Sequence, residues 1–96
     1  MPKVLFTGRA QAELDRIQVT HRLPASTRDR VVASLSSLAS FPSVGAPLHG
    51  SWSGLRYRLG PWPWMLLIYQ FDPELDTVTV ITIQDARRAG AATESR

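Results

Sequence analysis

The pattern of apolar positions in the N-terminal part of the chain predicts one short strand followed by an amphipathic helix. Lys3 to Thr7 contains three consecutive apolar residues that tolerate extended backbone, which predicts the strand. Thr7 is suited to cap the helix that follows. The apolar residues of this helix recur at i, i+4 and i+7: Ala10, Leu14 and Ile17. We expect the helix to run from about Arg9 to Val19 and to end before Pro24.

A second apolar stripe of helical period follows the first. Its members are Val31 or Val32, Leu35, Leu38 and Ala39. Ser26 is suited to cap this helix, and Asp29 lies near its positive end. We expect the helix to end near Phe41-Pro42, so that the two helices form a hairpin with a loop around Pro24.

The hydrophobic period changes from helical to alternating after the Gly-, Pro- and Ser-rich loop 43–53. Leu55, Tyr57 and Leu59 alternate with Arg56 and Arg58, which is typical of a half-buried strand. Met65 to Phe71 is almost continuously apolar and predicts a central strand that is covered on both faces. After a turn at Asp72-Pro73-Glu74, the β-branched run Thr77 to Ile83 predicts a last strand.

These elements predict an α+β fold of the order β-α-α-β-β-β. The last three strands are joined by short turns and are expected to form an antiparallel meander, with the helices on one face of the sheet. If Leu55, Tyr57 and Leu59 face the helices, Arg56 and Arg58 lie on the other face, about 6.6 Å apart, a spacing suited to neighbouring phosphates. We expect residues 1–88 to form one domain and residues 89–96 a flexible tail.

Composition narrows the class of protein. The chain has 96 residues, 44% of them apolar, and no cysteine, which excludes disulfides, cysteine–metal sites and thiol nucleophiles. The longest apolar run, Trp64 to Tyr69, is far too short to cross a bilayer, and the N-terminus does not resemble a signal peptide. The two histidines are far apart and give no metal signature. We therefore expect a cytoplasmic protein that needs no metal or other cofactor.

The charge of the chain favours a polyanionic partner. Eleven Lys and Arg residues face eight Asp and Glu, a formal net charge of +3, and only one of the eleven cations is lysine. Arginine binds phosphate or carboxylate oxygens through two parallel hydrogen bonds, which lysine cannot do. The partner would be a nucleic acid or an acidic protein. A solvated, arginine-rich surface without a partner explains the charge equally well.

The order and spacing of several segments resemble the RelE/ParE superfamily of bacterial toxins over about residues 3 to 88. The segments are Ala12-Glu13-Leu14 with Ile17, Phe41-Pro42, Leu48-His49-Gly50, Leu55 to Leu59 with its two arginines, Leu67-Ile68-Tyr69 with Phe71-Asp72, and Val78 to Ile83 with Arg87-Arg88. The resemblance implies a small α+β toxin of a type II toxin–antitoxin system, which a cognate antitoxin neutralises. An amphipathic helix or strand of the antitoxin is expected to cover it.

Members of this superfamily have two activities, and we expect the first, ribosome-dependent mRNA cleavage, with the second as the alternative. RelE-like toxins cut mRNA on the ribosome. For that activity, Arg56 and Arg58 would hold the scissile phosphate, Arg87 or Arg88 would stabilise developing charge, and His49 would be the candidate base. ParE-like toxins poison DNA gyrase and cut no RNA. A third hypothesis is a non-toxic interaction module of the same fold.

The chain departs from the RNA-cutting branch at several positions. Arginine at 56 and 58 replaces lysine and is a poor proton acceptor, because it stays protonated. Leu66 stands where that branch has an arginine, and Ala86 stands where it has another. The tail contains no tyrosine or histidine. These differences favour a gyrase-type target or an inactive relative.

Aromatic and imidazole side chains near the arginines allow more than one interpretation. Trp62 and Trp64 would stack unpaired bases if the chain binds nucleic acid. Alternatively, they close the hairpin or form an apolar patch for the antitoxin, which we favour. His49 is more simply explained as a solvated loop histidine, and His21 as a residue that favours the C-terminal end of the first helix.

Overall fold

The computed structural model describes residues 3–36 and 45–87, which form two helices packed on a five-stranded sheet. The elements are β1 (Lys3–Phe6), α1 (Gly8–Thr20), α2 (Thr27–Ser36), β2 (Ala46–Pro47), a short 3-10 helix (Gly50–Trp52), β3 (Arg56–Leu59), β4 (Met65–Asp72) and β5 (Thr77–Asp85). The predicted α+β fold and element order are confirmed. Within the described ranges, no helix is long and apolar enough to span a membrane.

The strands are arranged in the order β1-β5-β4-β3-β2. β1 pairs with β5 in parallel, and all other neighbours are antiparallel, which confirms the meander of the last three strands. The short edge strand β2, where Ala46 pairs with Tyr57, was not predicted. Its two residues are too few to show a period, and Pro47 is tolerated because the strand lies at an edge.

Helix α1 forms as the sequence predicts. The Thr7 side chain accepts a hydrogen bond of 3.0 Å from the Ala10 amide and so caps the helix. Ala10, Leu14 and Ile17 are all buried against the sheet. His21 follows the last helical residue, and its backbone amide donates back to the helix at Ile17.

Helix α2 begins at Thr27, one residue after the predicted cap, and buries Val31 and Leu35. The predicted continuation of this helix to Phe41-Pro42 lies outside the described residues. The helices pack on β1 and β5, at one end of the sheet.

The sheet is covered on both faces, as predicted for β4. The helix-side face carries the main core: Ala10, Leu14, Ile17, Val31, Leu35, Met65, Leu67, Tyr69, Val78, Val80 and Ile83. The opposite face carries a second group, here called the outer cluster: Leu48, Leu66 and Ile68, with Trp52, Leu55, Tyr57 and Ala86 packed against them. Segment 45–55 covers this outer face.

A β-bulge in β5 is held by polar side chains from the N-terminal part of the chain. Ile68 pairs with Thr82 but Tyr69 pairs with Val80, so Ile81 is the extra residue. The Thr7 hydroxyl donates to the Ile81 carbonyl at 2.9 Å. The Glu13 carboxylate accepts from the Thr82 hydroxyl and from the Ile83 amide, at 2.6 and 3.1 Å. These bonds fix the end of β5 under α1.

Candidate anion-binding site

Strand β3 places Arg56 and Arg58 on the helix-side face of the sheet. Arg56 pairs with Tyr69 and Arg58 with Leu67, and both partners belong to the main core. Directly paired residues of antiparallel strands lie on the same face. The conditional expectation that the two arginines lie on the other face, with Tyr57 toward the helices, is therefore wrong. Alternation fixes which residues share a face but not which face it is, and the outer cluster gives Tyr57 an apolar environment.

The arginines of β3 lie on the helix-side face but at a distance from the helices. The helices pack on β1 and β5, whereas β3 is separated from β5 by β4. Both arginines are half-buried. The face of β3 therefore presents two cations in the part of the sheet that lies beside the helical layer.

A hydrogen bond to Gly45, the residue before the edge strand β2, fixes the Arg56 side chain. Its Nη1 donates to the Gly45 carbonyl at 2.7 Å. The opposing Tyr69 is fully buried, and its hydroxyl lies against Gly45 without a well-formed hydrogen bond among the described residues. Burial raises the pKa of Tyr69, and the charge of Arg56, the Gly45 backbone and the charge of Arg58 offset this only in part. The hydroxyl therefore stays protonated at neutral pH.

Arg87 lies just after β5 and forms a two-point ion pair with Asp85. Its Nε donates to Oδ1 at 3.0 Å, and its Nη2 donates to Oδ2 at 2.8 Å. The Arg87 backbone amide also donates to Oδ1, at 2.9 Å. The Arg87 side chain nevertheless remains 63% exposed. Its guanidinium lies 5.2 Å from the centre of the Trp64 ring.

His21, at the C-terminal end of α1, contacts both Trp64 and Asp85. Its ring stacks on Trp64 with centroids 4.4 Å apart, and its Nε2 lies 3.3 Å from Oδ2 of Asp85. The hydrogen bond from the Arg87 side chain holds the pKa of Asp85 well below its usual range, and the backbone amide of Arg87 and the His21 ring add to this effect. We call His21, Trp64, Asp85 and Arg87 the Arg87 cluster.

A cleft of about 390 Å³ lies beside the Arg87 cluster, between α1 and the end of β5. Its lining residues are Arg16, Ile17, Thr20, His21, Ile83, Gln84 and Asp85. The cleft mixes one arginine with one carboxylate, so it has no uniform charge that would select a ligand.

The sheet register brings Arg58 and the Arg87 cluster to one side of the molecule. Arg58 pairs with Leu67, which pairs with Ile83, and the next residue of that face on β5 is Asp85. Neighbouring strands lie about 4.8 Å apart, so the backbones of Arg58 and Ile83 are on the order of 10 Å apart. The register is compatible with a convergence of cations from β3 and from the end of β5, which stays a prediction for the guanidinium groups themselves.

His49 follows Pro47, which pairs with Arg56, by two residues, and it has no hydrogen bond or ion pair with Arg56 or Arg58, so its role as a base stays a prediction. His49 is exposed and precedes the 3-10 helix, and its ring forms no hydrogen bond within the described ranges. The side chain of the preceding Leu48 packs in the outer cluster. Arg88, the remaining cation of the predicted site, lies outside the described residues.

The tryptophans lie on different faces of the sheet. Trp62 and Trp64 are half-buried and pack against the main core, and Arg30 of α2 lies 5.8 Å from the Trp62 ring centre. Trp52 packs in the outer cluster. The rings of Trp62 and Trp64 thus join the β3–β4 turn to the helices, and base stacking by them stays a prediction.

Arginines give the described part of the site its positive charge. Leu66 is fully buried in the outer cluster, so no charge stands at that position. His21 is bonded to Asp85 at the Arg87 cluster. No group of three or more possible metal ligands occurs among residues 3–36 and 45–87. The arrangement of arginines is therefore suited to hold phosphate or carboxylate groups.

Sequence reasoning did not find the roles of Gly45, Tyr69 and Trp64 in this site. Gly45 and Tyr69 are 24 positions apart and meet only through the β2–β3–β4 pairing. The spacing of Asp85 and Arg87 was visible, because a carboxylate two residues before an arginine in a turn is within reach of it.

Comparison with solved structures gives relatives for this arrangement. The chain is similar to the toxin–antitoxin complex RelBE2 from Mycobacterium tuberculosis, with 26% identity, 88% of this chain and 99% of that chain covered, and a TM-score of 0.63. It is similar in fold to the RelBE toxin–antitoxin complex of E. coli, with 20% identity, 92% and 100% covered, and a TM-score of 0.63. It is also similar in fold to the chromosomal ParDE system of P. aeruginosa, with 18% identity, 88% of this chain and 96% of that chain covered, and a TM-score of 0.61.

Sequence comparison gives the family. None of the curated proteins matches the chain significantly. The family model described as the ParE toxin of the type II toxin–antitoxin system parDE matches residues 4–90. Because this match covers most of the chain, the chain belongs to the ParE toxin family and is a type II toxin of the RelE/ParE superfamily.

Proposed function

We propose that this toxin inhibits growth by binding its target rather than by cutting RNA, as a ParE-type poison of DNA gyrase. The observation that carries the proposal is the environment of Arg56 and Arg58. No histidine or carboxylate of the described residues hydrogen-bonds to either arginine. The hydroxyl opposite Arg56, that of Tyr69, is fully buried and has a raised pKa. We therefore infer that the arginines of β3 act as binding groups and are not coupled to a base.

Among the other candidate bases, the exposed His49 forms no hydrogen bond with Arg56 or Arg58. Residues 37–44 contain no histidine, carboxylate or tyrosine, and residues 88–96 contain only Glu94. His21 and Asp85 are bonded to each other in the Arg87 cluster. The match to the ParE toxin model supports the same target class. Arg56, Arg58 and Arg87 then serve to bind the gyrase–DNA complex.

Assays with purified gyrase test the proposal directly. Wild-type toxin is expected to inhibit supercoiling and to accumulate cleaved DNA that stays linked to gyrase. The double variant Arg56→Ala/Arg58→Ala is expected to lose most of this effect. Arg9→Ala is the matched control, because Arg9 is an exposed cation on α1 that pairs with Glu13. Absence of any effect of wild-type toxin at micromolar concentration contradicts the proposal.

Ribosome-dependent mRNA cleavage is the second candidate function. It is supported by the placement of Arg56, Arg58 and Arg87 on one side of the sheet, and by the similarity to the M. tuberculosis RelBE2 complex. Primer-extension mapping after induction of the toxin would then show cuts in translated mRNA that Arg56→Ala/Arg58→Ala abolishes. Intact transcripts in cells that have stopped growing exclude this activity.

A cognate antitoxin is the partner that we propose for the free protein. The related structures of M. tuberculosis and E. coli are toxin–antitoxin complexes. An amphipathic antitoxin segment would cover the half-buried arginines and tryptophans of the helix-side face. Co-expression with the product of a neighbouring small gene is expected to restore growth and to give a stable complex. If induced toxin alone is harmless, the chain is a non-toxic interaction module.

A further inference from the structure

The Asp85 carboxylate occupies the edge of Arg87 through which an arginine binds a phosphate. Nε and Nη2 of Arg87 donate in parallel to the two oxygens of Asp85, at 3.0 and 2.8 Å. A phosphate group presents a similar pair of oxygens to the same edge of a guanidinium. The two anions therefore compete for one set of donors.

We propose that Asp85 occupies the side-chain donors of Arg87 until a phosphate of a nucleic-acid backbone displaces it. The Asp85–Arg87 ion pair is here called the latch. This inference rests on the proposed function in one respect, that Arg87 belongs to the surface that meets the target. Asp85 then regulates the site: it lowers the affinity for isolated anions and leaves Arg87 available to a phosphate that other arginines have already brought close.

Release of Arg87 is feasible because Asp85 keeps other partners. When the guanidinium leaves, Oδ1 retains the Arg87 backbone amide at 2.9 Å, and Oδ2 retains His21 Nε2 at 3.3 Å. The carboxylate is thus not left buried without a hydrogen bond, which would be costly. The lowered pKa of Asp85 keeps it charged at neutral pH. The competition is therefore present under physiological conditions.

The latch is weak enough for a ligand to displace Asp85 from Arg87. The Arg87 side chain is 63% exposed, so solvent screens its attraction to Asp85. Exposed ion pairs are weak enough for a multivalent anion to break. Trp64 stacks on His21 with an interplanar angle of 17°, which fixes the imidazole beside Asp85 and keeps the carboxylate in place after release.

The surroundings of the latch favour nucleic acid over an isolated acidic side chain as the displacing ligand. Arg56 and Arg58 lie on the same side of the sheet, and the chain has a formal charge of +3. A backbone with regularly repeated phosphates can occupy these arginines and Arg87 together. Neutralising several phosphates also releases counterions, so the affinity for nucleic acid increases with each added phosphate contact.

The test is the affinity of Asp85→Asn for a labelled duplex DNA of mixed sequence, measured by fluorescence anisotropy at low salt. We expect this variant to bind about two- to fivefold more tightly than wild type, because an exposed ion pair contributes up to about that factor. Adding Arg87→Gln to Asp85→Asn should remove the gain. Asp29→Asn is the matched control, since it makes the same change of charge at an exposed position of α2.

Several outcomes overturn the inference. Equal affinities of Asp85→Asn and Asp29→Asn would show that only net charge matters. A gain on a glutamate-rich peptide but not on DNA would show that the ligand is a carboxylate. If Asp85→Asn does not fold, the Arg87 Nε–H resonance of the wild-type protein decides. It must shift on saturation with DNA, and an unchanged resonance rejects the latch.

The outcomes for the latch and for the proposed function are separable. If Asp85→Asn gains affinity for DNA while wild-type toxin leaves gyrase unaffected, the latch stands and the gyrase proposal fails. If gyrase is poisoned but Asp85→Asn gains nothing on DNA, the latch fails and the gyrase proposal stands.

Discussion

Arg56 lies directly opposite Tyr69 in the sheet, so that a half-buried guanidinium and a fully buried phenol share one face at the β3–β4 pair. The arginine donates to the Gly45 carbonyl, whereas the hydroxyl has no well-formed hydrogen bond within residues 3–36 and 45–87. This pair explains two properties of the site. The positive charge is held in a fixed position, and the phenol opposite it is neutral and buried.

The first prediction concerns the stability contribution of the Tyr69 hydroxyl. A buried polar group without a partner contributes no net stability, so Tyr69→Phe is expected to leave the free energy of unfolding unchanged or to raise it by up to about 1 kcal/mol. Tyr69→Ala removes the ring from the core and should cost about 3–5 kcal/mol. Urea unfolding of both variants measures this. A loss above about 1 kcal/mol for Tyr69→Phe means that the hydroxyl has a partner after all.

The second prediction concerns alkaline pH. The folded-state pKa of Tyr69 is raised above its ordinary value of 10.0, so folding favours the protonated form. Its contribution to stability is fully present below pH 10 and is lost as the pH rises through the folded-state value. Unfolding measured from pH 8 upward should therefore show a steeper alkaline loss for wild type than for Tyr69→Phe. Identical profiles contradict the raised pKa.

The third prediction concerns the contact between Gly45 and Tyr69. A Cβ at position 45 would overlap the Tyr69 hydroxyl and approach the Tyr57 carbonyl to 3.0 Å. Gly45→Ala should therefore cost about 1–3 kcal/mol of stability through overpacking. In the double variant with Tyr69→Phe part of this cost should disappear, because the hydroxyl is gone. Gly8→Ala is the control, since no atom lies within 4 Å of an added Cβ there. Additive costs would show that the two residues are not coupled.

The sequence predicts the fold well because the spacing of apolar residues within each helix and strand is a local property. The stripe of Ala10, Leu14 and Ile17 and the β-branched run from Thr77 define α1 and β5 without any information on tertiary contacts. The face of Arg56 and Arg58 was not predictable in the same way. It depends on segment 45–55 covering the outer face, and that segment has no period of its own. The local pattern determines which residues of a strand share a face, whereas long-range packing decides which face of the sheet that is.

The candidate site follows the same division. The residue types were visible: two arginines on one strand and a further arginine after the last strand. Their partners were not, because Asp85 meets His21, and Arg56 meets Gly45, only in the folded chain. The partners determine whether a cation is free or already occupied. The position of His49 before β3 suggested a catalytic base, and this role stays a prediction, since its ring forms no hydrogen bond with Arg56 or Arg58.

The last prediction concerns the β-bulge that positions the Arg87 cluster. Glu13 accepts hydrogen bonds from the Thr82 hydroxyl and the Ile83 amide, and Ile83 is buried. Glu13→Ala leaves that amide without a partner and should cost about 1–3 kcal/mol. Glu13→Gln keeps an oxygen acceptor and should cost less. Hydrogen exchange of the Ile83 amide provides a local readout: it should accelerate in Glu13→Ala and much less in Glu13→Gln. If both variants exchange at the wild-type rate, another group holds the bulge, and Asp85 is positioned independently of α1.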